Sequence, residues 1–342
     1  MKRLFLLFLV SALLFAGCAP AAQKTEEKQY TATFLDLFDT VTTILGPGAS
    51  EEAFRAEAQK IHDDLLAYHR LFDIYEAYEG IVNLKVVNDM AGKGPVEVEE
   101  PIIRLLTDCK AYHELTGGRV DVTMGAVLRL WHEARSDGIR DPMNAKLPDM
   151  EELEAAAEHR GFDRVEIDPV ASTVEITDPA VSFDVGAIAK GWATQRAAEN
   201  APEGFLISVG GNVCATGPKR SDGTPWVIGI QDPEDSSQNL HTIYVTGGSV
   251  VTSGDYQRTY TVDGKKYHHL IDPDTRMPAG LWRSVTVVCE DSALADALST
   301  ALFLLPLAEG EDLLARVDAE ALWVDAAGQE HMTPGFREDL RT

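Results

Sequence analysis

Asp296 and Thr300 stand four residues apart in the run Ala295-Asp296-Ala297-Leu298-Ser299-Thr300-Ala301-Leu302. Helical spacing puts both oxygens on one face of an otherwise apolar segment. A buried carboxylate and hydroxyl need partners. A hard cation such as Mg²⁺ would use both and complete its octahedron with carbonyls, water and phosphates. An Asp–Thr hydrogen bond without metal accounts for the pair equally well. The segment Ser182 to Gly191 joins a strand-like run to a helix-like run through Gly186. Such a junction aims free N–H groups and the positive end of a helix dipole at an anion. Asp184 takes the expected N-cap position. Lys190, two turns on, is either a solvated lysine or a cation for that anion. Neither the G-x-G-x-x-G fingerprint nor a Walker A loop is present. His268 and His269 are adjacent, so on a strand they point to opposite faces and do not share a metal. One of them suits acid or base work near neutral pH, the other a structural place. His62 and His69 read as surface or packing residues.

These side chains need elements to hold them. Apolar periodicity predicts helices over 51–68, 101–115, 126–134, 151–159, 186–200 and 293–305. Strands are predicted over 164–167, 173–176, 181–183, 205–209, 226–231, 242–245, 249–252, 259–262, 284–288 and 321–324. Val262-Asp263-Gly264-Lys265 carries an Asp-Gly hairpin signal, and Gly117 to Thr123 reads as a turn leading into a strand. Helices early and strands late give an α+β class, with mixed or antiparallel sheets and packed helices in a single large domain.

The chain has 342 residues, 45% of them hydrophobic, and a formal net charge of −25. That composition excludes disorder and a disulfide scaffold, and the charge excludes nucleic acid as a partner. An anionic ligand needs a local cation to offset the field. Lys2 and Arg3 precede an apolar run from Leu4 to Ala16, broken only by Ser11. The run is too short for a permanent span and is laid out as a secretory signal peptide. Its end, Phe15-Ala16-Gly17-Cys18, resembles a bacterial lipobox with Phe where Leu is usual. It implies removal of residues 1–17, lipidation of Cys18 by acyl chains such as palmitate, and a flexible tether over 18–30. The protein is then expected to sit outside the cytoplasm, on the outer face of the cell membrane or facing the periplasm. Cys109, Cys214 and Cys289 are expected as buried free thiols.

Seven motifs occur in one order: Phe38-Asp39-Thr40, Gly118 to Thr123, Asp184 to Gly191, Ser208 to Asn212, Ser253-Gly254-Asp255-Tyr256, His269 to Pro273, and Ala295 to Thr300. Together they resemble the ApbE family, the FAD:protein FMN transferases, over 31–342. The resemblance implies that FMN passes from FAD to a threonine hydroxyl of an acceptor flavoprotein, with AMP released. It implies a metal site of Asp296, Thr300 and the Ala187 carbonyl, filled by Mg²⁺. Asp184 and Lys190 would contact FAD, while Arg119, Val120, Asp121, Phe38 and Ile271 would shape the flavin and adenine pockets. The family's tyrosine matches Tyr75, or Tyr78 by the alternative spacing to Asn88. His269 matches the single histidine of its motif, to accept the threonine proton or to orient it. Asp39 and Arg276 stand where the family pattern has glycine. A Mg²⁺-dependent FAD pyrophosphatase, and a lipoprotein that only holds flavin, are the alternatives.

Overall fold

The computed structural model describes residues 28–340. The expected signal segment, Cys18 and most of the tether lie outside the described residues. Alternating apolar residues build the frame. An eight-stranded sheet takes its strands in the order in which the chain makes them. They are β1 (Gln29–Leu37), β2 (Thr40–Pro47), β3 (Leu206–Val209), β4 (Asn212–Ala215), β5 (Gly248–Gly254), β6 (Trp282–Cys289), β7 (Ala319–Asp325) and β8 (Glu330–Met332). Each pairs antiparallel with the next. The frame is thus a meander with long insertions, and the insertions carry the helices.

Between β2 and β3 lie α1 (Glu51–Phe72), α2 (Gly125–Arg140) and α3 (Ala189–Asn200); between β6 and β7 lies α4 (Ser292–Leu304). Ser50 caps α1 by accepting the Ala53 N–H, and Asp291 caps α4 by accepting from Ala293 and Leu294. Strand alternation divides the core. Val251, Val285, Val287 and Trp323 pack with Phe54, Trp192, Leu298 and Phe303 of the helices. Their neighbours Val250, Leu322 and Val324 pack with Trp226, Ile228 and Ile243 of a two-stranded ribbon. α4 is buried nearly all round, as a helix apolar on every face must be. A third cluster joins Val127 and Trp131 of α2 to Tyr260 and Ile271.

The α+β class and the antiparallel sheet with packed helices agree with expectation, and the Asp-Gly hairpin forms, with Asp263 and Gly264 both left-handed. Cys109, Cys214 and Cys289 are buried and free. Several boundaries differ. β1 begins at Gln29, inside the expected tether, and neither β1 nor β2 was anticipated, because the threonines of 31–43 blur the apolar alternation. Residues 181–183 form no strand. Ser182 makes a single bridge to Met124, and the Phe183 N–H is taken by the Asn88 side chain instead. The following helix starts at Ala189 with Ile188 as its N-cap, so Asp184 is not the cap. Its carboxylate accepts the Gly186 N–H and tightens the turn before the helix. Residues after Gly118 form a loop that runs into α2 rather than a strand, since Asp121 takes both the amide and the hydroxyl of Thr123. Residues 268–269 likewise lie in a loop. Among the described residues, no helix is long and apolar enough to cross a membrane.

Candidate active site

A cavity of about 690 Å³ opens between the sheet and the α2 cluster, within the size range of small-molecule sites. The end of β5, the β1–β2 and β3–β4 turns, α2, α3, α4, the 73–78 loop and the 257–271 region all contribute to its lining. Phe38, Tyr75, Tyr78, Arg119, Val120, Asp121, Asp184, Ala187, Lys190, His269, Ile271, Asp296 and Thr300 all line it. Every candidate residue in the described chain is therefore brought to one place.

The floor is set by the crossing of α3 and α4. A Cβ on Gly191 would collide with the Asp296 Cβ and the Ser292 carbonyl, so only glycine lets the two helices approach this closely. Asp296 is 4% exposed. Its Oδ2 accepts the Gly191 N–H at 2.8 Å and lies 3.7 Å from the Lys190 ammonium. Burial pushes its carboxyl pKa up, against the pull of Lys190, the Gly191 N–H and the Asn212 amide. The Gly191 N–H is thereby spent on Asp296 rather than on the Ala187 carbonyl four residues back, and α3 starts only at Ala189. The Thr300 hydroxyl, one turn along α4 from Asp296, makes no hydrogen bond to another described residue. One carboxylate, one hydroxyl and one carbonyl free of its helical donor fit a hard, oxygen-seeking ion. No group of three or more His, Cys, Asp or Glu side chains gathers among the described residues. A complete protein cage is thus not on offer, and phosphate or water would supply the remaining ligands.

The paired histidines separate cleanly. His268 is satisfied, its Nε2 facing the Ala279 carbonyl at 2.8 Å and its Nδ1 accepting the Leu270 N–H. His269 keeps a buried Nδ1 without a partner. Burial, then the charges of Arg258, Lys190, His268 and Arg135, pushes its pKa down to about 3, so the ring is neutral. Asp184, half-buried at the cavity wall, is raised by burial and pulled back by the Gly186 N–H, Arg258, His132 and Arg135.

The remaining positions are structural anchors as well as lining. Arg119 pairs with Asp274 at 2.7 Å and Asp272 at 3.7 Å, and Val120 and Ile271 are buried. Phe38 sits left-handed in the β1–β2 turn, and its N–H donates to His69 Nδ1 at 3.1 Å. His69, expected to be surface or packing, thus holds this turn at the cavity. Tyr78 gives its hydroxyl to Asp73 at 2.7 Å. Tyr75 is 51% exposed and stacks on His132 with ring centroids 5.0 Å apart, which leaves it the more available of the two tyrosines. His132, Arg135 and Arg258 also line the cavity and were not singled out from the sequence. The first two share one face of α2 with Leu128 and Trp131, a pattern indistinguishable from a helix surface until its neighbours are known. Arg258 lies two residues beyond the Ser-Gly-Asp-Tyr motif.

A family model described as the ApbE family matches residues 35–323. The chain is 30% identical over 277 residues to a FAD:protein FMN transferase of Klebsiella pneumoniae, covering 77% of this chain and 83% of that one. Its fold is similar to the crystal structure of the ApbE protein of Thermotoga maritima, with a TM-score of 0.80, 33% identity, and 92% of this chain and 100% of that one covered. The flavin transferase ApbE of Vibrio cholerae shares the fold, with a TM-score of 0.75 at 22% identity over 92% of this chain and 100% of that one.

Proposed function

The chain belongs to the ApbE family, and on that premise we propose that this flavin-transferring enzyme uses Mg²⁺ to move FMN from FAD to a threonine hydroxyl of an acceptor flavoprotein. The observation that carries the reading is the convergence of the motif residues on one cavity, with a neutral, unpartnered His269 beside Lys190 and Asp184. The threonine oxygen bonds to the phosphorus next to riboflavin, the pyrophosphate P–O bond breaks, and AMP carries away the electron pair. His269 takes the threonine proton. Its base strength is low in the free protein because it is buried and, after that, because Arg258 and Lys190 press on it. A bound diphosphate offsets those charges, so the ring gains proton affinity when substrate arrives.

Asp296, Thr300 and the Ala187 carbonyl would hold the Mg²⁺, which neutralises diphosphate charge and so eases phosphoryl transfer. Lys190 supplies a fixed positive charge to the same oxygens. Tyr75 offers an aromatic face, and Phe38, Val120 and Ile271 apolar surface, to the ring systems. Arg119 and Asp121 hold the loop that borders them. Cys18 would bear the lipid that keeps the enzyme on the extracytoplasmic membrane face.

The test is incubation of purified protein with FAD, Mg²⁺ and an acceptor domain bearing a threonine. The expected result is AMP in step with a flavin-mass adduct on the acceptor. AMP without an adduct would make the protein a pyrophosphatase, and intact FAD would leave only a flavin-holding lipoprotein.

A further inference from the structure

Four cations line the cavity: Arg119, Arg135, Lys190 and Arg258. Three are engaged by the protein. Arg119 pairs with Asp274, Lys190 lies against Asp296, and Arg135 reaches His132 Nδ1 at 3.0 Å. Arg258 has no hydrogen bond and no ion pair with any described residue. Its place is nonetheless built. The preceding loop is held where the Asp255 carboxylate meets Arg283 Nε at 2.8 Å and the Asp255 N–H donates to the Arg283 carbonyl at 2.9 Å. Two residues on, Tyr260 opens a hairpin whose ring packs in the α2 cluster.

Between these anchors Arg258 adopts a left-handed backbone with φ 47°. That conformation is strained for a residue with a Cβ, and most left-handed positions of this chain are glycines. A side chain kept where glycine would be unstrained points to a use for the side chain. Its charge acts on Asp184 at the turn before α3 and on His269.

We infer that Arg258 binds the diphosphate of FAD together with Lys190, the two cations meeting the anion within one cavity. The inference rests on the flavin-transfer reading above. A carboxylate of the acceptor protein is the competing partner for this guanidinium. The diphosphate is favoured because Arg258 acts on the same histidine as Lys190, and because a chain of net charge −25 needs unspent positive charge where a dinucleotide must enter.

The experiment is a fluorescence titration of the full chain with FAD and, separately, with riboflavin, in wild type, Arg258→Gln and Arg258→Lys. Loss of a charge-assisted contact to phosphate should weaken FAD binding about 10- to 100-fold in Arg258→Gln. Riboflavin, which has the ring but no phosphate, should bind as before, and Arg258→Lys should recover part of the loss. Unchanged FAD affinity, equal weakening of both ligands, or a defect confined to the KM for acceptor would each overturn the assignment. Failure of the wild type itself to bind FAD would instead bring down the flavin-transfer reading.

Discussion

The floor of the cavity and the rest of its wall are built on opposite terms. On the floor the Asp296 carboxylate is locked to the Gly191 N–H and Lys190, and Ser299 meets Ser253 across α4 and β5 at 2.9 Å. On the wall His269 Nδ1 and the Arg258 guanidinium have no partner among the described residues, and Tyr75 is half exposed. A buried polar group without a partner is costly, so His269 Nδ1 gives the wall a cost in the free protein, whereas Arg258 stays exposed. On the proposed reading, fixed geometry suits the floor because a Mg²⁺ site tolerates little displacement. On the same reading, unspent donors and acceptors suit the wall, where a charged substrate would meet them.

The sharpest way to break this contrast is at Asp296. Asp296→Ala should lower turnover at ordinary Mg²⁺ by roughly three orders of magnitude, the scale of losing a group that stabilises charge in the transition state. Full turnover, measured as AMP release from FAD, would show that the floor does not hold the metal. Gly191→Ala tests the same region through packing alone. Its Cβ drives α3 away from Asp296 and Ser292, so urea unfolding should show a loss of about 1–3 kcal/mol, with activity falling alongside. A stable, active variant would mean that the helix crossing is not what fixes the carboxylate.

At neutral pH the smallest effect expected is on the wall. Above pH 6.5 the His269 ring is neutral whether the chain is folded or unfolded. Below it, the unfolded chain binds a proton that the folded protein refuses until about pH 3, so stability declines as the pH falls through that window. The decline is at most about 1.4 kcal/mol per pH unit. His269→Gln should remove it, and its stability relative to wild type should improve steadily from pH 6.5 downward. Parallel stability curves for the two proteins would show that the wall does not hold this ring neutral.

Much of the floor was readable in advance because its signals are local. Asp296 and Thr300 share a helix face by spacing alone, and the glycine-bearing approach to Lys190 and Gly191 is a single stretch of chain. The wall was less legible. Which of His268 and His269 keeps a free nitrogen depends on the Ala279 carbonyl and the Leu270 N–H, and residues 268–269 proved to be loop rather than strand. Arg135 and His132 look like any polar helix face until the 73–78 loop and the hairpin close over them. The β1–β2 turn that brings Phe38 to the cavity was invisible because its strands are rich in threonine.

Local spacing and motif order determined the α+β class, the helices that matter and the residues to watch, since periodicity and capping act within a few positions of the chain. Only the folded chain decided that Gly191 would meet a carboxylate more than a hundred positions away. It also decided that one histidine of a pair would be satisfied and the other left open, and that Arg258 would line the cavity without a partner among the described residues. Hydrogen-bond partners and burial are properties of neighbours in space, and spatial neighbours exist only after the insertions have closed over the sheet.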